Sequence, residues 1–122
     1  FQLFLDSTGN NRAYYYLSIN TRLLGGYING LDYLSEYIKS YPKDYEAIFT
    51  RSILRSGLRL NNGALNDINI YIEANQNIAK GYVQRALILN AMNKSSQACD
   101  DIKKAIMMSQ EYTELAVKLR CY

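Results

Sequence analysis

Chemistry in a protein needs nucleophiles, proton carriers, metal ligands or phosphate cradles, and this chain is short of all four. Its 122 residues include no histidine, which removes the side chain that titrates nearest neutral pH and the commonest metal ligand. The two cysteines, Cys99 and Cys121, are too few for a closed zinc site without other strong ligands. Asp100 and Asp101 are adjacent, so on a helix they diverge by about 100° and cannot share one substrate atom. No glycine-rich phosphate loop, nucleophile elbow or carboxylate cluster at helical spacing occurs. The expectation is a chain that is not an enzyme, with no catalytic residue, no cofactor and no metal.

Two charged pairs carry more information. The interval from Arg51 to Asp67 is also the interval from Arg85 to Asp101, a spacing of 16. One repeat before the first pair, the same places hold Leu17 and Tyr33, so both partners lose their charge together. This reads as a contact between two helices of one unit, in which removing a single partner would strand a partly buried charge. The competing reading has the arginines binding anionic ligands.

The elements that must position these residues repeat with a constant step of 34. Gly30, Ala64 and Ala98 fall in register, as do Leu34, Ile68 and Ile102, and then Ile38, Ile72 and Ile106. Upstream, Tyr14, Ile48 and Tyr82 keep the spacing, as do Ile19, Ile53 and Leu87. Each period holds two apolar stripes with helical spacing, divided by a short polar or glycine-containing break. The predicted helices are Ala13–Leu24, Ile28–Ser40, Tyr45–Leu58, Ala64–Ala74, Ala79–Met92, Gln97–Ser109 and Glu111–Cys121, with Asn10 or Asn11 capping the first. Gly25-Gly26 is the predicted first turn, Pro42 stops the second helix, and Ser95 or Ser96 is the predicted cap of the sixth. Connections this short require antiparallel neighbours. Residues 1–10 lie outside the period and read as an N-terminal arm or the remnant of an upstream segment.

This pattern resembles the tetratricopeptide repeat, whose unit has the same length. The first copy reads Tyr14, Leu17, Ser18, then Gly30, Leu34, Tyr37, Pro42; the second reads Ile48, Arg51, Ser52, then Ala64, Ile68, Tyr71, with Gln76 in the proline's place. The third reads Tyr82, Arg85, Ala86, then Ala98, Ile102, Ala105, with Gln110 in that place. The resemblance implies an all-α, right-handed α-solenoid of three helix hairpins at 11–44, 45–78 and 79–112, followed by a capping helix at 113–122. It also implies that first helices line a concave groove, which would present Arg12, Tyr15, Ile19 and Arg22, then Glu46, Phe49, Ile53 and Ser56, then Lys80, Val83, Leu87 and Asn90. The carboxylate clamp that some relatives use would need asparagines and lysines where Tyr16, Thr50 and Gln84 stand here, so the clamp is expected to be missing.

Cys99 opens one predicted helix and Cys121 closes the next, nearly equidistant from a turn near Gln110, so an antiparallel hairpin would bring them level. A bridge would point to an oxidising compartment. On a regular helix, however, Cys121 falls opposite the stripe Tyr112, Leu115, Ala116, Leu119, and a bridge would require the chain end to unwind. Bridge and free thiols both stand. The stretch from Gln97 to Ala105 resembles the last repeat of envelope proteins from the Bacteroidetes, which implies a bacterial periplasm or cell envelope; a cytoplasmic location is the alternative.

Composition restricts the partner. A formal charge of +3 with interspersed acids does not suggest nucleic acid, and no run approaches the roughly 18 apolar residues of a membrane span. The start at Phe1, without methionine or signal-like segment, reads as a mature or excised piece. Twelve tyrosines reflect AT-rich coding or a tyrosine-rich binding face. The expected function is a scaffold holding a protein or peptide segment in the groove. The alternative is a structural or accessory subunit of a larger cell-envelope assembly, part of a multi-protein complex, using end and convex surfaces.

Overall fold

A computed structural model describes residues 24–121. Among them the elements run α1 (Leu24–Ser40), α2 (Tyr45–Gly57), α3 (Asn61–Ala74), α4 (Ala79–Ala91), α5 (Ser95–Met108), a 3₁₀ turn (Gln110–Tyr112) and α6 (Thr113–Lys118), with no strand. The chain is an all-α helical repeat. α2 and α4 begin one period apart, at Tyr45 and Ala79, and so do α3 and α5, at Asn61 and Ser95. Each helix packs against the next in sequence, and α2 also touches α4 directly.

The apolar stripes explain the stack. Leu34, Ile68 and Ile102, equivalent positions of three second helices, are fully buried. One core cluster joins Leu34, Tyr37 and Ile38 of α1 to Ala47, Ile48 and Leu54 of α2. A second joins Ala64, Ile68, Tyr71 and Ile72 of α3 to Tyr82 and Ile88 of α4 and Ala105 of α5. A third joins Ala86 and Leu89 of α4 and Ala98 and Ile102 of α5 to Ala116 of α6. The first two clusters straddle a boundary between repeat units and the third joins the last unit to α6, so the interior is one continuous column and stability depends on neighbours. Small residues set the crossing within a unit. Ser52 lies fully buried and donates its hydroxyl to the Ala64 carbonyl at 2.9 Å.

Several boundaries differ from the sequence expectation. Gly25 and Gly26 are helical, not a turn, because α1 already begins at Leu24; glycine is costly inside a helix but not excluded from one. α3 begins at Asn61, so Asn61, Asn62 and Gly63 form its first turn. The turn is confined to the residues before it and is made at Arg59, whose φ is 61°. Asn93 repeats that conformation one period later, with φ 62°. The Leu60 amide reaches back to the Arg55 carbonyl and the Lys94 amide to the Leu89 carbonyl, at 2.8 and 2.9 Å. These are backbone-closed helix ends that need no side chain. Ser95 starts α5 and Lys94 occupies the cap position without a side-chain bond, so neither Ser95 nor Ser96 caps it. The expected helix over 111–121 is shorter, ending at Lys118.

That early end places Cys121. Arg120 takes φ 59° and the Cys121 amide bonds back to the Ala116 carbonyl at 2.9 Å. The reversal carries Cys121 out of helical register, and it is joined to Cys99 by a disulfide with the Cα atoms 5.2 Å apart. The bridge ties the segment after α6 to the second turn of α5, with Ala116, Leu115 and Leu119 covering the end of the core. No helix of the described residues is long and apolar enough to cross a membrane. The predicted arm at 1–10, the first helix with its Asn10 or Asn11 cap, and Tyr14, Leu17 and Ser18 lie outside the described residues.

Candidate functional site

The first helices α2 and α4 place eight of the expected groove residues; Arg12, Tyr15, Ile19 and Arg22 lie outside the described residues, as does Tyr16. At the start of α2, Asp44 caps the helix by accepting from the Ala47 amide at 3.2 Å. Its other carboxylate oxygen receives the Tyr37 hydroxyl, fastening α1 to α2. One repeat on, Ile78 holds the cap position of α4 with no side-chain bond.

Along the expected groove the residues fall into two groups. Glu46 and Lys80, at equivalent positions of successive units, form an ion pair of 2.7 Å. The Lys80 ammonium also lies 4.5 Å from the centre of the Phe49 ring, a favourable cation–π placement. Phe49 packs on Tyr71 with ring centres 4.9 Å apart. The Tyr71 hydroxyl donates to Glu46 at 3.2 Å. Burial, reinforced by the neighbouring Glu46 carboxylate, pushes the Tyr71 phenol up to about 12. Phe49 and Val83 are half-buried and pack against the core. Part of the expected groove is therefore wall of the stack. Ile53 and Leu87 differ: they are 39% and 42% exposed and hold the same position in successive units. Ser56 beside them is half-buried and Asn90 exposed.

The positions relevant to a carboxylate clamp are occupied internally. Thr50 is buried and its hydroxyl donates to the Glu46 carbonyl at 3.0 Å. Gln84 is buried and its amide reaches the hydroxyls of Ser52 and Ser56 at 3.5 and 3.4 Å. These bonds tie α4 to α2.

The paired charges form on the other side of the first helices. Arg51 grips Asp67 with two parallel bonds of 3.0 and 2.8 Å, and Arg85 grips Asp101 with two of 2.8 Å. The hydrogen bond to Asp101 raises the Arg85 guanidinium above its ordinary value, so it stays charged. Both are helix-to-helix contacts within a unit. A second arginine, not expected from the spacing of 16, joins the first pair: Arg55 adds a 2.9 Å bond to the fully buried Asp67. Its signal was legible, because Arg55 stands one turn after Arg51 and Gly63 stands where the next unit has Gln97. A Cβ on Gly63 would lie 3.2 Å from the Arg55 side chain, so the glycine makes room for it. The Glu46–Lys80 pair was also missed, although opposite charges one repeat apart announced it. Among the described residues no group of three or more histidine, cysteine or carboxylate side chains is placed to hold a metal.

No family model and no curated protein matches the chain. Solved structures do. The first TPR of Spaghetti (RPAP3), bound to the HSP90 peptide SRMEEVD, aligns over 95% of this chain and 94% of its own, with TM-score 0.79 and 18% identity. The Yersinia enterocolitica type III secretion chaperone SycD, in complex with a peptide of the translocator YopD, aligns over 88% and 85%, with TM-score 0.73 and 14% identity. MamA aligns over 84% of this chain and 60% of its own, with TM-score 0.73 and 16% identity; this chain thus spans about three fifths of MamA. Identities this low carry the fold and nothing finer, and together with the sequence period they establish a tetratricopeptide-repeat-like fold.

Proposed function

We propose that this chain is a non-enzymatic protein-interaction scaffold that holds an apolar peptide or protein segment along the face formed by its first helices. The observation that carries the reading is the pair of exposed rungs, Ile53 and Leu87, set one repeat apart on that face. Two similar structures, of Spaghetti (RPAP3) and SycD, hold peptides. The charges at the edge of this face, Glu46 and Lys80, satisfy one another. Recognition therefore rests on apolar contact more than on capture of a terminal carboxylate. Arg12, Tyr15, Ile19 and Arg22 would extend the face through the preceding unit.

A second reading, a subunit of a larger cell-envelope assembly, is favoured by apolar side chains away from that face. Met107 is 88% exposed and Val117 63%. The bridge between Cys99 and Cys121 supports an oxidising compartment, the periplasm or envelope of a bacterium, over the cytoplasm. A free-thiol assay on protein from the native cell tests that location: reactive thiols in the isolated protein would contradict it.

Co-purification from the native cell tests the main reading. Ile53→Asp with Leu87→Asp alters exposed positions and should leave the helical circular dichroism intact while abolishing partner recovery. Retention by that variant, with loss on Met107→Asp and Val117→Asp, would transfer the function to the assembly reading.

A further inference from the structure

The third unit contains an open cavity of about 360 Å³ between α3, α4 and α5, on the side of the charged pairs and apart from the groove. Its apolar wall is Leu65 and Leu89, and its polar wall is Asn69, Arg85, Gln97, Asp100 and Asp101, with Arg85 Nη1 donating to Asn69 Oδ1 at 3.1 Å. The second unit shows what fills the equivalent place. There Arg55 stands at the position of Leu89, lies over Gly63 and delivers Nη1 to the Asp67 Oδ2 atom at 2.9 Å, the oxygen that also accepts from Arg51 Nε. In the third unit Asp101 Oδ2 accepts from Arg85 Nε alone among the described residues, at 2.8 Å. Leucine replaces the second arginine, and Gln97 replaces the glycine that gave it room.

The charge reverses with this exchange. The second unit sets two arginines, Arg51 and Arg55, against the single carboxylate of Asp67. The third sets one arginine, Arg85, against Asp101 and the neighbouring exposed Asp100, whose position in the second unit is the neutral Asn66. Lys103, one turn beyond Asp100, forms no ion pair with it among the described residues.

We propose that this cavity binds the guanidinium of an arginine side chain supplied from outside the chain, which takes the place that Arg55 takes in the second unit. Asp101 Oδ2 accepts one guanidinium nitrogen and Asp100 neutralises the remaining charge. The side-chain amides of Asn69 and Gln97 flank the entrance, and the aliphatic stem lies against Leu65 and Leu89, as arginine stems do on apolar surface. Guanidinium suits a site shaped by a bidentate arginine–carboxylate pair better than a compact ammonium does.

The test is a nuclear magnetic resonance titration of the whole chain with N-acetyl-arginine-N-methylamide, with free L-arginine, and with the uncharged citrulline analogue of the first. The expected result is movement of the Asn69 and Gln97 side-chain amide signals with the arginine compounds and none with citrulline. Movement with the blocked compound assigns the source to an arginine within a polypeptide, and movement with free arginine alone assigns it to the amino acid; both sustain the guanidinium site. Asp100→Asn, at an exposed position, should lose most of the movement. Leu89→Arg with Gln97→Gly should supply the internal arginine and abolish it; should that variant not fold, Asp100→Asn still decides. Absence of movement with either arginine compound, equal movement with citrulline, or unchanged titration of Asp100→Asn overturns the proposal. Ile53→Asp should leave the titration as it is, so failure here would not touch the groove reading.

Discussion

The second unit, α2 with α3, and the third, α4 with α5, are built on one frame and fastened differently. Their helices start one period apart, and their central apolar positions, Ile68 and Ile102, are equally buried. The second unit is held by two arginines on a fully buried Asp67 and by the Ser52 hydroxyl on the Ala64 carbonyl. The third has one arginine on Asp101, alanine at the place of Ser52, and a disulfide that pins the cap. The seams below them differ too. Ala47 meets the Tyr37 and Ile38 cluster with a methyl group, whereas a Cβ on Gly81 would come within 2.9 Å of Ile72 and 3.1 Å of Tyr71. Apolar periodicity fixes the stack, and each unit then finds its own polar or covalent fastening.

The largest expected effect comes from the buried lock. Asp67→Ala leaves two arginines without their carboxylate and should cost about 3–5 kcal/mol in urea unfolding. Asp101→Ala strands one, more exposed arginine and should cost less. Equal losses would break the contrast between the units. Replacing Arg51, Arg55 and Asp67 together by apolar residues should recover much of the loss, because buried ion pairs gain little over packed apolar groups.

Next in size is the cap. Cys99→Ser with Cys121→Ser opens a link spanning 22 residues in sequence, and the chain-entropy argument gives a loss of about 3 kcal/mol. Hydrogen exchange should then rise first in α6 and the start of α5. A uniform rise across α2 and α3 would show that the bridge does more than hold the end.

Gly81→Ala should destabilise by about 1–3 kcal/mol, because overpacking against Ile72 and Tyr71 exceeds the gain in helix propensity. Ala47→Gly at the equivalent place should cost about 1–2 kcal/mol, through backbone entropy and the loss of a buried methyl group. Thermal unfolding of both variants compares a tight seam with an ordinary one.

The last effect is confined to alkaline pH. Tyr71 has a folded pKa of about 12 against an ordinary 10, so the folded protein keeps a proton that the unfolded chain releases. That contribution is complete below pH 10 and is lost as the pH rises towards 12. Tyr71→Phe should therefore show a flatter decline in stability over this range. Parallel declines would mean that Glu46 and burial do not govern the phenol.

Much of this was legible in the residues. The step of 34 marked the buried positions Leu34, Ile68 and Ile102, and the spacing of 16 marked both arginine–aspartate contacts. Helix starts were less legible. The ends at Arg59, Asn93 and Arg120 are closed by backbone bonds at positive φ, which no glycine announces. The bridge could not be settled from helical phase, since the reversal at Arg120 abandons that phase. Of the candidate groove, Ile53 and Leu87 are outward-facing, while Phe49 and Val83 are partly taken up by packing; period alone cannot separate the two, because it fixes the face and not the depth.

The central claim is that a partner lies on the face of the first helices, along Ile53 and Leu87. A photo-crosslinking amino acid placed singly at Ile53, at Leu87, at the exposed Ile70 of α3 or at Met107, followed by irradiation in the native cell, tests it directly. One and the same partner should be captured from Ile53 and Leu87 and not from Ile70 or Met107. Capture from Ile70 or Met107, with none from Ile53 and Leu87, would contradict it.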